Sequence, residues 1–569
     1  MTAIADLHLG LPSDIEAEIG DIESGADDLD QLRQTMLGDA ETTDTQFRTA
    51  SGEFTDLIAW NIVTASSTEL MAWEEATRAL TYGSGTLRLW ASDIGTYRAE
   101  RASIQRRWDE AKADAESAVS NISSKPNMHG SLSSAPVKAE KIEELETLRT
   151  ELLSEHSGRW ETLMEQADQT KKDLRDGPGE ATLERLVEAG LLTGAQLTYL
   201  GDAVPSMVPD ELTGDEPPAV VNLWWTSMTE EEQQEAMEDH PELLRDLDGI
   251  PATVRDELNR EHLDNEIERL EEELEEVREE HRGNPGPGNS FPRLETSEAI
   301  SELTQGVSTL RGLRNNVEGK ELEGEPEAHH EHRFLLSLDT ENLGRAIVAH
   351  GNPDTADNVG TVVPGTNADW RSVNGQFEYA GAIAESAYDV DRDANHSVIA
   401  WIGYDAPQGF KAAAEREHAE NAVDELGAFQ DGLRATHQST SPSHNTVIGH
   451  SYGSTVVGHT AWSERGLAAD EIVLVGSPGS GTTHADHLGL PAENVHTSTA
   501  ENDKISWTTG FTHGPDPTAG EFGANTFGSS PGSKGGKLPF GDAHSEYFES
   551  DSDSVERIGE ILAGQANGG

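Results

Sequence analysis

The feature that most constrains the fold of this chain is a five-residue motif near its residue 450. The motif reads Gly449-His450-Ser451-Tyr452-Gly453 and follows the short β-branched run Thr446–Ile448. Glycines on both sides of Ser451 indicate a turn so tight that a Cβ at either position would clash. A strand, this turn and a following helix would lift the Ser451 hydroxyl above a sheet edge. We therefore expect a nucleophile elbow with Ser451 as the nucleophile.

The sequence pattern around this motif predicts a sheet. Amphipathic stretches near 372–389, 410–435 and 452–465 alternate with short apolar runs. Strands that alternate with helices favour the α/β class, here a doubly wound, mostly parallel sheet covered by helices on both faces. The predicted strands are Phe334–Leu338, Arg345–Ala349, Val359–Val363, Ser397–Trp401, Thr446–Gly449, Ile472–Val475 and Val495–Ser498.

The chain before this sheet has helical periodicity. Residues 1–200 read as an acidic α-helical region in which apolar residues recur at spacings of three and four, with a turn expected at Tyr82–Gly85. Residues 201–325 read as a helical connector that carries the pair Trp224-Trp225 and a short coiled-coil-like helix at Leu263–Val277. The apolar seam of this last helix is too short for an independent coiled coil, so we expect either an antiparallel helical hairpin or a docked helix. Residues 326–569 form the sheet domain. The expected connecting segments are 121–138, 202–219 and 283–289.

Composition limits the partners and the chemistry. The chain has 106 acidic and 40 basic residues, for a formal net charge of −66. Such a surface favours hydration, as in proteins adapted to high salt, and argues against nucleic acid, whose phosphates need clustered Lys and Arg. The absence of cysteine excludes disulfides and thiolate catalysis. We expect no cofactor and no metal, since the neighbouring histidines 329, 330 and 332 do not converge as metal ligands do.

The sequence carries no signal for membrane insertion. No window holds 18 consecutive apolar residues, so we expect no membrane span. The start of the chain lacks the basic and apolar segments of a signal peptide, so we expect a cytoplasmic location, with signal-independent export as the alternative. The helical N-terminal region is a candidate surface for a protein partner.

A serine hydroxyl needs a base, and the base needs an orienting acid. In enzymes built on such an elbow, the acid follows the nucleophile along the chain and the histidine follows the acid. Asp503 comes just after a predicted strand and is our candidate acid, with Glu501 and Asp486 as alternatives.

The candidate base is His544, in the Gly-rich segment 541–548 near the C-terminus. His513 is the alternative. His450 adjoins the nucleophile, but as the middle residue of the elbow it should point away from the Ser451 hydroxyl.

Acyl transfer also needs donors for a developing oxyanion. One is the backbone N–H of Tyr452, which follows the nucleophile. The second should come from the turn after an earlier strand, Val363-Pro364-Gly365-Thr366. The Thr366 N–H is the candidate, with Asn367 as the alternative. The Gly-rich segment 476–481 lacks the Lys-Ser/Thr pair of a phosphate-binding loop and is expected to be a turn at the rim of the site.

Several of these segments resemble a known family. The Val363–Thr366 turn, the elbow and Val475-Gly476-Ser477-Pro478-Gly479, with Trp224-Trp225 and Leu247–Arg260 upstream, are similar to an actinobacterial family of α/β-hydrolases with a helical N-terminal extension, the domain of unknown function 1023 type. The resemblance covers about residues 220–550. It implies a serine-hydrolase fold and no particular substrate.

Two hypotheses for the function follow. The first is a serine esterase or related acyl hydrolase that acts on a small-molecule ester or acyl substrate through Ser451, Asp503 and His544 and an acyl-enzyme intermediate. The second is a non-catalytic interaction or secretion-associated protein, in which the helical half is the working part and the hydrolase domain is inactive or auxiliary. A further expectation is that Trp224-Trp225 caps the active site.

Overall fold

The computed structural model of the chain combines a helical N-terminal half with an eight-stranded sheet. The expected connecting segments lie largely outside the residues that the structure describes. No described helix has the length and apolarity needed to cross a bilayer. The described residues are 4–17, 19–33, 56–123, 135–176, 180–189, 212–214, 216–283, 294–318, 332–439, 442–463, 465–505, 513–535 and 542–565.

The first part of the chain is helical, as its periodicity predicts. Trp108 of the second helix and Leu152 of the third share one apolar cluster, and Arg107 pairs with Glu155 across their surface. The long helices therefore pack along each other through an apolar stripe. The helices are α1 (19–33), α2 (Asp56–Ser123), α3 (Ala135–Asp176) and α4 (Glu180–Glu188).

The turn expected at Tyr82–Gly85 is wrong, because α2 continues through these residues. The small residues serve a close contact between helices. A Cβ at Gly83 would lie 3.1 Å from Leu29 Cδ1 of α1. The hydroxyl of Ser84 donates to Asp30 Oδ1 of α1 at 3.1 Å. Glycine thus allows α1 to approach α2 here and does not end the helix.

The described residues of the connector form five helices, and two of these form an antiparallel hairpin. Arg311 pairs with Glu271, and Arg314 pairs with Asp264, so the helices run in opposite directions. The residues Leu263, Ile267, Leu270 and Leu274 of the predicted seam are buried between this hairpin and the sheet. The helices are α5 (Pro218–Ser227), α6 (Glu230–Asp239), α7 (Pro241–Leu244), α8 (Ala252–Gly283) and α9 (Leu294–Glu318).

All seven predicted strands are present, and an eighth short strand follows them. The sheet order is β1-β2-β4-β3-β5-β6-β7-β8. The pairs β1–β2 and β2–β4 are antiparallel, and the remaining pairs are parallel. The strands are β1 (Arg333–Asp339), β2 (Arg345–His350), β3 (Asn358–Val363), β4 (His396–Ile402), β5 (His444–His450), β6 (Glu471–Val475), β7 (Val495–Ser498) and β8 (Asn525–Thr526).

Helices cover both faces of the sheet. On one face Phe429 and Val456 pack against Val447, and on the other Ile383 and Ile558 pack among buried residues that include Ile448. Neighbouring residues of β5 thus point into different cores, as expected for a strand covered on both sides. The covering helices are α10 (Val373–Val390), α11 (Glu417–Asn421), α12 (Val423–Thr436), α13 (Tyr452–Ala461) and α14 (Asp553–Leu562).

The Trp224-Trp225 pair does not cap the site of Ser451. Trp225 is buried in a cluster of the connector helices α5, α6 and α8. Leu223 packs beside Ala435, at the C-terminal end of α12 that leads to the start of β5. Ser451 follows the other end of β5. The expected cap is therefore wrong, because α5 packs at the opposite edge of the sheet.

We propose that the chain divides near residues 200 and 325 and that the middle part completes the core of the last. Leu335 and Val348 of β1 and β2 are fully buried under the α8–α9 hairpin. A chain reduced to 326–569 should therefore expose this apolar face and aggregate, whereas 212–569 should be soluble and unfold cooperatively. Size-exclusion chromatography and thermal melting distinguish the two. A well-folded 326–569 fragment would contradict the shared core.

A second prediction concerns Glu23, on the side of α1 that meets the sheet domain. Burial, and then the carboxylates of Asp470 and Asp27, raise the pKa of Glu23 from 4.5 to about 7. The folded chain therefore holds the proton of Glu23 more tightly than the unfolded chain does. The contribution of Glu23 to the stability of the fold is present at low pH and is lost as pH rises through about 7.

We therefore expect Glu23→Gln to increase the melting temperature, relative to the unmodified chain, by roughly 2–4 °C more at pH 8 than at pH 5. Exposed Asp28 lies on the same helix. Asp28→Asn is the matched control and should not show this pH dependence. An equal effect of Glu23→Gln at both pH values would contradict the assignment.

Candidate active site

The turn after β5 holds Ser451 in a backbone conformation that few side chains adopt. Its φ is +53° and its ψ is −127°, and α13 begins at the next residue. Only 7% of Ser451 is exposed. A non-glycine residue in this left-handed region is strained, and such strain concentrates at functional sites. The strained turn thus places Ser451 between the end of β5 and the start of α13, as the motif predicts.

Three glycines make room for this turn. A Cβ at Gly449 would lie 2.6 Å from Ser454 Cα, and a Cβ at Gly453 would overlap the carbonyl oxygen of Val363. A Cβ at Gly365, in the turn after β3, would lie 2.7 Å from Ser451 Cβ. The two elbow glycines therefore have the steric role expected of them. Gly365 places the turn after β3 directly against Ser451.

The structure brings Ser451, His544 and Asp503 into one chain of hydrogen bonds. His544 Nε2 lies 2.8 Å from Ser451 Oγ. His544 Nδ1 lies 2.8 Å from Asp503 Oδ2. His544 belongs to a 3₁₀ helix, Asp542–Phe548, and Asp503 belongs to the loop after β7. Residues from three distant parts of the sequence thus meet at the C-terminal ends of the parallel strands.

Asp503 is buried, yet it stays ionised. Burial opposes its charge, but hydrogen bonds from His544, Tyr547 and the Ile505 amide outweigh burial and lower the pKa of Asp503. The Ile505 N–H donates to Oδ1 at 2.9 Å. An ionised carboxylate only accepts hydrogen bonds, so His544 carries its proton on Nδ1 and Nε2 can accept the Ser451 hydroxyl proton.

The alternative residues lie elsewhere. Glu501 and Asp486 are exposed. His513 is buried, and its Nε2 donates to the carbonyl of Ala413 at 2.7 Å. None of these three has a hydrogen bond with the Ser451 hydroxyl among those of the described residues. The geometry therefore favours Asp503 and His544 among the residues considered.

His450 points away from the Ser451 hydroxyl and contacts the segment that carries the candidate base. Its Nε2 donates to the carbonyl of His544 at 2.8 Å. Burial and the neighbouring His544 lower the pKa of His450 to about 4. His450 is therefore neutral at physiological pH, and it helps to hold the 3₁₀ helix of His544 in place.

Two backbone amides, those of Tyr452 and Thr366, are the candidate donors for an oxyanion. Tyr452 is the first residue of α13, so its N–H has no acceptor within the helix. Asn367, the alternative to Thr366, is engaged, because its N–H donates to the carbonyl of Pro407 at 3.0 Å. Asn367 has a φ of +68°, and its Oδ1 accepts the Gly409 N–H at 2.8 Å. These bonds fix the turn after β3, in which Gly365 packs against Ser451.

Tyr547 was not identified from the sequence as a residue of this site, and Gly476 was expected only as part of a turn at its rim. Tyr547 donates its hydroxyl to Asp503 Oδ2 at 2.7 Å. Gly476 has a φ of +56°, and a Cβ there would lie within 3.3 Å of the Tyr547, Asp503 and His544 side chains. The sequence signal for the contact of Tyr547 with Asp503 is that Tyr547 follows His544 by three residues. This spacing is informative only in a 3₁₀ helix, where residues i and i+3 lie in line.

Within the described ranges, no three His, Asp or Glu side chains are grouped so that they could hold a metal ion. The Gly-rich segment 476–481 forms a turn after β6 that contacts the first turn of α13. The Ser477 hydroxyl accepts the Gly479 amide at 3.1 Å and the Ser454 hydroxyl at 2.6 Å. The segment therefore uses its polar groups to support the start of α13.

Comparison with known proteins agrees with this architecture. A family model described as alpha/beta hydrolase matches residues 339–512, a range that contains Ser451 and Asp503 and ends before His544. An uncharacterized protein of Mycobacterium bovis is 34% identical over 239 residues, which are 40% of this chain and 80% of the relative.

A longer match is found in Mycobacterium tuberculosis. An uncharacterized protein of that organism is 27% identical over 410 residues, which are 66% of this chain and 60% of the relative. The chain thus spans less than two thirds of that relative's length. No solved structure matches the chain.

The close approach at Gly453 gives a direct test of the elbow. Gly453→Ala places a methyl group against the Val363 carbonyl, so we expect a loss of about 2 kcal/mol or more of unfolding free energy. Gly375 in α10 has open space around its Cα. Gly375→Ala is the matched control and should stabilise by about 0.5–1 kcal/mol. Thermal melting of both variants checks this, and equal effects would contradict the packing.

Proposed function

The chain belongs to the α/β-hydrolase family, and we propose that it is a serine hydrolase that cleaves an ester or a related acyl compound. The observation that carries the proposal is the continuous hydrogen-bonded chain Ser451–His544–Asp503. The motifs that suggest the 1023 type of this family also contribute residues to the site, which supports that finer assignment.

The proposed reaction begins at Ser451. His544 Nε2 takes the hydroxyl proton as Oγ attacks the carbonyl carbon of the substrate. Asp503 accepts the Nδ1–H bond and stabilises the imidazolium that forms. The amides of Tyr452 and Thr366 stabilise the oxyanion of the tetrahedral intermediate. Expulsion of the leaving group, which takes the proton from His544, produces an acyl-enzyme.

Water completes the cycle. His544 removes a proton from the incoming water, the hydroxide attacks the acyl carbon, and collapse of the second tetrahedral intermediate returns the proton to Ser451 Oγ. The products are a carboxylic acid and the free enzyme. Every proton transfer passes through His544, and the backbone conformation of Ser451 holds Oγ next to its imidazole.

The alternative hypothesis is a non-catalytic interaction protein. It predicts no activated serine, and the alignment of Ser451 with a histidine and a buried, ionised aspartate favours the hydrolase instead. A protein partner of residues 1–200 stays compatible with a hydrolase, because such a partner would bind helices that contribute none of the residues of the site.

Labelling with a fluorophosphonate probe tests the proposal. The probe phosphonylates an activated serine and releases fluoride, so the full chain should be labelled in low or molar salt. Ser451→Ala should abolish the label, and His544→Ala should reduce the labelling rate by about 10⁴-fold or more, since a triad residue contributes about that much.

The control is Ser463→Ala. Ser463 lies just after α13, where its hydroxyl donates to the Thr460 carbonyl at 2.7 Å. This variant should be labelled like the unmodified chain. A folded chain that is not labelled in any salt would contradict the hydrolase assignment and favour the alternative. Hydrolysis of a panel of nitrophenyl esters then identifies the acyl preference.

A further inference from the structure

Tyr547 touches the candidate site through one atom. Its hydroxyl donates to Asp503 Oδ2, the same oxygen that accepts His544 Nδ1. The Ala500 N–H donates to the Tyr547 hydroxyl oxygen at 2.9 Å. The phenol is thus held between a backbone donor and a carboxylate acceptor, and each bond polarises the other in the same direction.

The position of Tyr547 is fixed by burial and by several contacts. Only 1% of the residue is exposed. Its carbonyl accepts the Ser554 hydroxyl at 2.6 Å, and the ring of His450 packs against its ring with centroids 5.8 Å apart. Such a side chain cannot turn away from Asp503 without disturbing α14 and β5. The contact is therefore built into the fold.

The protonation states agree with this direction of donation. Burial, and then the charge of Asp503, raise the pKa of Tyr547, so the phenol keeps its proton. The Asp503 carboxylate, whose pKa is lowered, is the acceptor. The other titratable groups that face the pair are His544, His450 and, further away, Asp516.

We propose that Tyr547 is a positioning residue of the hydrolase, which acts on His544 through Asp503. The phenol fixes the orientation of the carboxylate, and it withdraws charge from the oxygen that faces the imidazole. His544 is thereby held with Nε2 directed at Ser451, and its proton acceptor strength is adjusted through Asp503. This inference rests on the proposed function and adds to it a residue outside the expected triad.

Removal of the hydroxyl has two expected effects. In Tyr547→Phe the carboxylate loses a donor, so its orientation is less restricted and the labelling rate by a fluorophosphonate should fall by about 10-fold. The freed oxygen also stabilises the imidazolium more strongly. The acid limb of the rate–pH profile should therefore move to higher pH, by roughly half a unit or more.

The experiment measures the labelling rate of the full chain between pH 5 and 9, with the unmodified chain and Tyr547→Phe side by side. Hydrolysis of p-nitrophenyl acetate gives the same comparison in steady state. There we expect a lower kcat with little change in KM, since Tyr547 has no contact with the nucleophile. Thermal melting establishes that both proteins are folded.

Tyr379→Phe is the matched control. The Tyr379 hydroxyl donates at 3.5 Å to the carbonyl of Ser545, on the same 3₁₀ helix, and has no hydrogen bond with Asp503. This variant removes a phenol near the same turn and should keep both the rate and the pH profile. A loss that is common to both variants would assign the effect to the turn and overturn the inference.

The outcomes separate the two proposals. An unmodified chain that is not labelled overturns the proposed function itself. A labelled chain in which Tyr547→Phe keeps the rate and the profile overturns only the positioning role. A lower labelling rate with an unchanged acid limb also overturns the positioning role. A smaller fraction of folded protein would lower the rate at every pH in this way without moving the rate–pH profile.

A proton resonance gives a readout that needs no turnover. In a Ser451→Ala background, the proton that His544 Nδ1 shares with Asp503 should resonate far downfield in the NMR spectrum. Adding Tyr547→Phe should shift this resonance, because the acceptor oxygen changes its charge. An unchanged resonance in a folded protein would overturn the inference.

Discussion

The geometry of the site depends on how closely the start of α13 approaches the end of β3. Gly453 faces the carbonyl of Val363 with no room for a methyl group. The same approach puts Gly365 against Ser451. One backbone contact therefore sets both the conformation of the nucleophile and the position of the turn that carries Thr366. Since interiors are packed to the density of organic crystals, neither can move without the other.

The second constraint is the burial of an ionised carboxylate. Asp503 is removed from water, which is costly unless hydrogen bonds replace hydration. His544, Tyr547 and the Ile505 amide provide them. The loop after β7 and the 3₁₀ helix near the C-terminus are thereby joined at one carboxylate. The orientation of the candidate base follows from this satisfied charge, and strand geometry alone does not set it.

Away from the site, some of the buried carboxylates are paired with cationic side chains. Asp30 in α1 accepts from Ser84, Arg33 and Arg88. The α8–α9 hairpin covers the antiparallel edge of the sheet with apolar residues and carries ion pairs such as Arg311–Glu271 on its surface. The ion pairs of the hairpin thus lie at its surface, and the burial of apolar residues joins the hairpin to the sheet.

The sequence by itself determined the strands of the sheet and the tight turn at Ser451. Strands β1 to β7 were predicted from local apolar runs, and the candidate residues Ser451, Asp503 and His544 were chosen from the order of residues after strand ends, because such patterns lie in neighbouring residues of the chain. The tertiary structure alone decided the sheet order, the course of α2 through Gly83, the place of Trp225 in the connector and the contact of Tyr547 with Asp503. These features depend on which distant surfaces of the chain approach each other. The neighbouring sequence of a glycine does not show whether it ends a helix or allows two helices to pack closely, and that of a tyrosine does not show whether it fills a core or donates to a carboxylate.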